Sequence, residues 1–456
     1  MAAIDGEGAV EARIAEWRSY LRRRQVIRDV DVAELEDHLR GQLEALQGAG
    51  LSEDEAFLVA VKRMGSVDAL SREFAREHSE RLWKQLLATP GPGDEDAAGR
   101  RTDATVALAL AVAAAALVKL PELFGYRLET HEAFYLRNAS LAVFPLLAAY
   151  FAWKRALSGR VTAVLAATFT ASALVVNLYP FGPASHTQLL AALHLPIALW
   201  FAVGVAYAGG RWADGARRMD FVRFTGELFI YFVLIALGGM VVTAFTIGIF
   251  QSIGADAEWF VQRWLVPCGA AGAVLVASWL VEAKQSVIEN IAPVLSRIFT
   301  PLFAAVLVTF LATMLWTGRG FDLERNVLIA FDLLLAVVLG LLLYAVSARD
   351  PDAPAGAFDA LLLALVVSAL LVDGLALGAI VSRISDFGFT PNRVAALGEN
   401  LVLLGNLAGS AWLYARFLRG RGTFRAIEKW QTDYLPAFAL WAAVVVVLFP
   451  LLFGFA

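Results

Sequence analysis

A single cysteine, Cys268, stands in this chain of 456 residues, which excludes a disulfide framework and a cysteine-based metal site. It lies in an apolar stretch and reads as a small buried residue. Histidine is nearly as sparse. His38, His78, His131, His186 and His194 are scattered without ligand spacing, so no zinc site is expected. No Gly-rich phosphate loop is present, which disfavours an ATP-driven pump in one chain, and no motif calls for a cofactor. The formal net charge is −4 and the Lys/Arg blocks are short, which sets nucleic acid aside as a partner.

Charge of either sign is also thin. Charged residues make up 18% of the chain and hydrophobic ones 59%, against about a quarter and about half in ordinary soluble domains. What charge there is sits unevenly. The first hundred residues are dense in Glu, Arg and Asp, whereas Val106–Val118 and Ala442–Leu448 carry none. The chain therefore meets two solvents, water first and lipid afterwards. Met1–Gly8 is polar and the first long apolar run comes a hundred residues later, so no secretory signal is expected and the N-terminal part is placed in the cytoplasm.

Residues 11–87 read as four amphipathic helices. The second is clearest: Val32, Leu35, Leu39, Leu43 and Leu46 recur at three- and four-residue steps behind Asp31 as N-cap, with Glu34 three residues on. Gly48 and Gly50 end it, Ser52 and Glu55 form a capping box for a third helix closing at Gly65, and Ser66 caps a fourth that carries Leu70, Phe74 and Leu82. The expected organisation is a cytoplasmic four-helix prefix over residues 1–88, a flexible linker over 89–102 and a membrane domain over 103–456. The prefix surface is mixed in sign, which suits a solvated face or a docking surface for a regulatory protein or membrane partner on residues 11–87.

Apolar runs long enough to cross about 30 Å of hydrocarbon lie at 103–120, 133–153, 161–179, 187–208, 224–250, 262–282, 294–316, 326–346, 357–381, 394–415 and 434–454. The fold expected is all-α, a polytopic bundle of about eleven transmembrane helices. With the N-terminus inside, the inner loops hold basic residues such as Lys154, Arg155, Arg217, Arg218, Arg223, Arg349, Arg416, Arg419, Arg421, Arg425 and Lys429. The outer loops hold fewer, and the bias of roughly twofold follows the positive-inside rule. Ala456 then falls outside, and the location expected is the inner (plasma) membrane. No fixed-period repeat and no pair of matching halves is visible.

Ionisable groups inside lipid are costly and mark candidate sites. Asp332 and Asp373 sit at similar depth below the outer ends of their helices. Glu399 and Asn406, seven residues apart, share a face of the following helix, with Asn400 beside Glu399. An outer loop, Ser382–Arg393, supplies Arg383 and Arg393 as partners for these carboxylates. The candidate ligand or ion cluster is Asp332, Asp373, Arg383, Asp386, Asn392, Arg393, Glu399 and Asn406. The alternative is that these groups only hold helices together. Gly374 with Gly378, and Gly405 with Gly409, are spaced for close helix packing. Glu227 reads as a surface partner of Arg223, His186 as a loop residue, and Trp153, Trp200, Trp259, Trp264 and Trp316 as interfacial belts.

Two segments resemble known families. Arg13–Leu21, Glu34–Leu39, Leu51–Ala56 and Met64–Ser66 resemble permease prefix domain 1, the HAAS signalling domain, which implies a regulatory or protein-docking module. Ile291–Phe303, Leu341–Tyr344 ahead of Arg349, Asp373–Ile380 and above all Ser382–Arg393 resemble the polytopic domain of unknown function 4153, which implies a fold and no activity. The function expected first is a membrane sensor or regulator whose prefix docks a partner. A permease or secondary transporter using Asp332 or Asp373 as coupling carboxylate is the alternative. An intramembrane enzyme ranks last, because the outer loops offer little acid–base machinery.

Overall fold

Lipid offers no hydrogen bonds to a peptide group, so a chain this apolar satisfies its backbone within helices. The computed structural model describes residues 29–48, 56, 59, 60, 94–182, 185–283, 291–317 and 325–456, and they form helices with no strand among them. The chain divides into two compact units, Met1–Ala97 and Ala98–Ala456.

In the first unit, α1 (Asp29–Gly48) buries Leu39, Leu43 and Leu46, the stripe expected from the three- and four-residue steps. The helix starts two residues before Asp31, the expected N-cap. The other three prefix helices, with the Ser52–Glu55 capping box and the Ser66 cap, lie outside the described residues apart from residues 56, 59 and 60.

Among the described residues, eleven helices are long and apolar enough to cross a membrane, and the protein is an integral, multi-pass membrane protein. They are α2 (Asp94–Lys119), α3 (Glu132–Lys154), α4 (Gly159–Leu178), α5 (His186–Tyr207), α6 (Gly215–Ser252), α7 (Glu258–Ala283), α8 (Ile291–Thr317), α9 (Arg325–Ser347), α10 (Ala357–Phe387), α11 (Pro391–Leu418) and α12 (Phe424–Leu452). The start of α2 at Asp94 falls within the segment read as linker. Local chemistry sets several boundaries. Ser158, Ser185 and Asp214 accept the backbone N–H groups of Val161, Gln188 and Ala216 as N-caps, the role short oxygen side chains play at helix starts. In α7 a π-helical turn covers Val261–Leu265, just where Pro267 has no N–H to give the α-helical ladder.

Two apolar cores organise these helices. One gathers side chains of α2–α7, including Leu147, Phe151, Leu199, Phe224 and Leu275. The other gathers α8–α12, including Leu307, Leu335, Leu365, Leu407 and Ile427. Two helices give buried residues to both: α6 gives Phe221 and Phe224 to the first and Met219 and Val222 to the second, while α12 gives Val446 to the first and Leu435 to the second.

Polar fastenings lock the helix ends. At one end, Glu282 of α7 receives Arg155 at 2.9 Å and Lys154 at 3.2 Å, and Lys154 also reaches Asp103 of α2 at 3.1 Å. Between α9 and α10, Arg349 grips the buried Asp359 with Nε at 2.8 Å and Nη2 at 3.0 Å, and also donates to the carbonyls of Asp350, Ala353 and Pro354. Its guanidinium lies over the rings of Phe424, at 4.3 Å, and Phe417, at 4.9 Å. One side chain thus ties the α9–α10 loop to α11 and α12.

Two expectations are corrected here. Glu227 is buried, and Arg223 donates through Nε and Nη2 to the Ser347 carbonyl, at 3.1 and 2.6 Å. Arg223 thus makes a helix-to-helix contact between α6 and α9, and Glu227 does not lie on the surface. Trp200 is not interfacial: its indole donates to Thr225 and its ring packs among Phe144, Phe221 and Phe224. Trp153, Trp259, Trp264 and Trp316 are exposed, as belt residues are.

Candidate functional site

The helices α9, α10 and α11 pack against one another, and each brings one acid to the contact region. Asp332 lies seven residues into α9, Glu399 eight residues into α11 and Asp373 fourteen residues before the end of α10. At 1.5 Å per residue these are depths of about 10, 12 and 21 Å from the helix ends. All three ends lie on the same side of the bundle, because α9 to α10 and α10 to α11 are successive antiparallel passes.

Asp373 lies deeper than the sequence suggested, because the expected loop is mostly helix. The helix α10 runs on through Ser382–Phe387, and only Gly388–Thr390 connects it to α11. Gly388 makes the break, with φ +77° and ψ 179°, a combination open to glycine and almost nothing else. Pro391 then fixes the first residue of α11, and Thr390 caps it by accepting the N–H of Arg393. Arg393 donates to the carbonyls of Phe387 and Gly388, at 3.0 and 2.8 Å. It therefore closes the C-terminus of α10 instead of pairing with a carboxylate.

The eight expected site residues are consequently split. Asp332, Asp373 and Glu399 form one group, with Asp332 in electrostatic reach of the other two. Asn400, singled out only as a neighbour of Glu399, belongs to it and donates to Asp332 at 2.9 Å. Arg383 makes no ion pair with any of the three acids. Asp386 is exposed beyond them. Asn392 turns away to His186, at 3.2 Å. Asn406 belongs to a second, self-contained network: it donates to Gln431 at 3.0 Å, Gln431 donates to Ser410 at 2.7 Å, and Ser410 donates back to the Asn406 carbonyl at 2.6 Å. These three side chains are fully buried. Sequence reasoning missed Gln431, whose helix it read as starting at residue 434.

The two networks differ in their hydrogen-bond balance. The Asn406–Ser410–Gln431 set has a donor for each acceptor it uses, as a structural lock requires. The acid group has too few. Asp373 is fully buried and both its carboxyl oxygens lack a hydrogen-bond partner, as does the Asn400 carbonyl oxygen. Among the described residues no Lys or Arg forms an ion pair with Asp332, Asp373 or Glu399. What this group of acceptors lacks is a donor or a positive charge.

Comparison adds no family. No protein-family model, no curated protein and no solved structure matches the chain. The site is therefore read from its own chemistry. Among the described residues no group of three or more His, Cys, Asp or Glu side chains is placed to hold a metal ion. Asp332 is close enough to feel both Asp373 and Glu399, but the three do not converge as ligands of one ion.

Proposed function

We propose that this integral membrane protein is a proton-coupled permease in which the acid group of α9, α10 and α11 is the coupling site. Asp373 carries the reading: a buried carboxyl with two unpartnered oxygens is expensive to keep ionised, and protonation removes that cost. Asp332 and Glu399, nearer the helix ends, are stepping stones between Asp373 and one membrane face. The test is uptake by the full chain in proteoliposomes under an imposed pH gradient, across a panel of neutral and charged solutes. Accumulation that collapses with a protonophore and disappears in Asp373→Asn supports the reading. Uptake driven by a sodium gradient at uniform pH replaces the proton by sodium. Equal behaviour of Asp373→Asn and the parent protein across the panel overturns both.

A second reading is a membrane sensor or regulator, favoured by the separate compact unit Met1–Ala97 and by the resemblance of its residues to a signalling prefix. In this reading the unit sits on the cytoplasmic side of the inner (plasma) membrane, a location that the bias of Lys and Arg towards the inner loops supports. Crosslinking in native membranes should then recover a partner with the full chain and not with a chain lacking residues 1–88. Identical recovery from both would count against it.

A further inference from the structure

At the end of the bundle where α11 stops and α12 starts, a groove of about 480 Å³ lies between the two helices, within the range of small-ligand sites. Its walls are Gly409, Trp412, Leu413, Ala426 and Trp430, with Lys429 and Asp433 at the mouth. The groove has two chemical halves. Gly409 lies nine residues inside α11, about 14 Å from its end, so the apolar floor is at acyl-chain depth. The mouth lies in a segment that carries Arg416, Arg419, Arg421, Arg425 and Lys429 against two acids, Glu428 and Asp433. All five basic residues are exposed.

Neighbouring acids leave much of this charge unanswered. Arg425 is paired with Asp352, and Asp433 is held by Arg218 and Lys429. The guanidinium of Arg416 lies 4.8 Å from the centre of the exposed Trp412 ring, and Arg416 also donates to the Arg421 carbonyl at 3.1 Å. A cationic side chain is thus fixed over an aromatic wall at the level where lipid headgroups meet acyl chains. An apolar cleft below a basic, aromatic rim matches an amphiphile with an anionic head.

We propose that the α11–α12 groove is a binding site for one anionic phospholipid of the adjoining leaflet. One acyl chain lies along Gly409, Leu413 and Ala426, and the phosphate is met by Arg416, Arg419 and Arg421. The site is distinct from the acid group of α9–α11 and does not depend on the function proposed for it.

The experiment is native mass spectrometry of the full chain in mild detergent, titrated with phosphatidylglycerol or with phosphatidylcholine of the same chain length. One phosphatidylglycerol should be retained in preference to phosphatidylcholine. Replacing Arg416, Arg419 and Arg421 by Gln should weaken that retention by about fivefold for each charge removed and leave phosphatidylcholine unaffected. Ala426→Trp, or Leu413→Trp if the first fails to fold, fills the groove without touching the charges and should also release the lipid. Equal retention of the two lipids, or retention unchanged in the triple variant, overturns the proposal. So does loss in the charge variant with full retention in the groove-filled one, which would mark ordinary annular lipid.

Discussion

Asn400 donates a 2.9 Å hydrogen bond to Asp332 across the α9–α11 contact, while its own carbonyl oxygen, fully buried, receives nothing. The amide is therefore used as a donor only. It answers Asp332 alone among the three acids and leaves its own oxygen without a donor. The pair is expected to be coupled: a double-mutant cycle of Asp332→Ala and Asn400→Ala, read by thermal unfolding in detergent, should give about 1–3 kcal/mol, the range for a hydrogen bond to an ionisable group. Simple additivity would show that the contact contributes nothing.

Asp373 should be retained at a cost to stability. Asp373→Leu removes a buried carboxyl with no partner and is expected to stabilise the bundle by about 1–3 kcal/mol, seen as a higher unfolding temperature. A lower unfolding temperature would mean that Asp373 has a partner in the resting protein.

The opposite sign is expected at Asp359. This carboxylate is buried and bonded to both Nε and Nη2 of Arg349, so Asp359→Ala takes away the counter-charge of the guanidinium and should destabilise by about 3–5 kcal/mol. Arg349→Lys should not rescue the fold fully, since an ammonium cannot reproduce the two-pronged bond and the stacking on Phe424 and Phe417 together. Stability of the lysine variant equal to the parent's would refute that account.

Glycines on neighbouring helices should respond differently to one methyl group. A Cβ at Gly398 or Gly409 would overlap the indole of Trp441 or Trp430 on α12, so Gly409→Ala should destabilise by about 1–3 kcal/mol through overpacking. Gly374 has open space around it, and Gly374→Ala should be neutral or gain up to about 1 kcal/mol of helix propensity. Equal effects at the two positions would show that α11 and α12 do not pack this closely.

At the α10–α11 turn, Gly388→Ala should strain the backbone by about 1–3 kcal/mol, because φ +77° with ψ 179° is closed to a residue with a Cβ. Limited proteolysis at the turn is the readout. An unchanged cleavage rate would show that the turn relaxes without cost.

Most of the fold was legible in the sequence because membrane crossing is a property of composition and length. All eleven apolar runs became helices, and the Leu39–Leu43–Leu46 face of α1 was buried as its periodicity required. The candidate site was legible in part. Acids in apolar helices pointed to Asp332, Asp373 and Glu399, yet the same reasoning assigned Arg393 to them when it caps α10. It also joined Asn406 to a cluster that it does not enter. The pair Gly405 and Gly409 was rightly marked for close packing, but Tyr434 and Trp430 of α12 occupy the space where an approaching backbone was imagined.

What the sequence determined by itself was which segments enter lipid and which polar groups enter with them, since lipid allows only long, internally bonded helices. Which polar groups meet was decided by tertiary structure alone. Asn400 finds Asp332, Arg349 finds Asp359 and Glu282 finds Lys154 and Arg155 through the rotation and register of whole helices. Those are set where side chains from different helices interlock, as at Gly398–Trp441 and Gly409–Trp430, and no local run of residues encodes them.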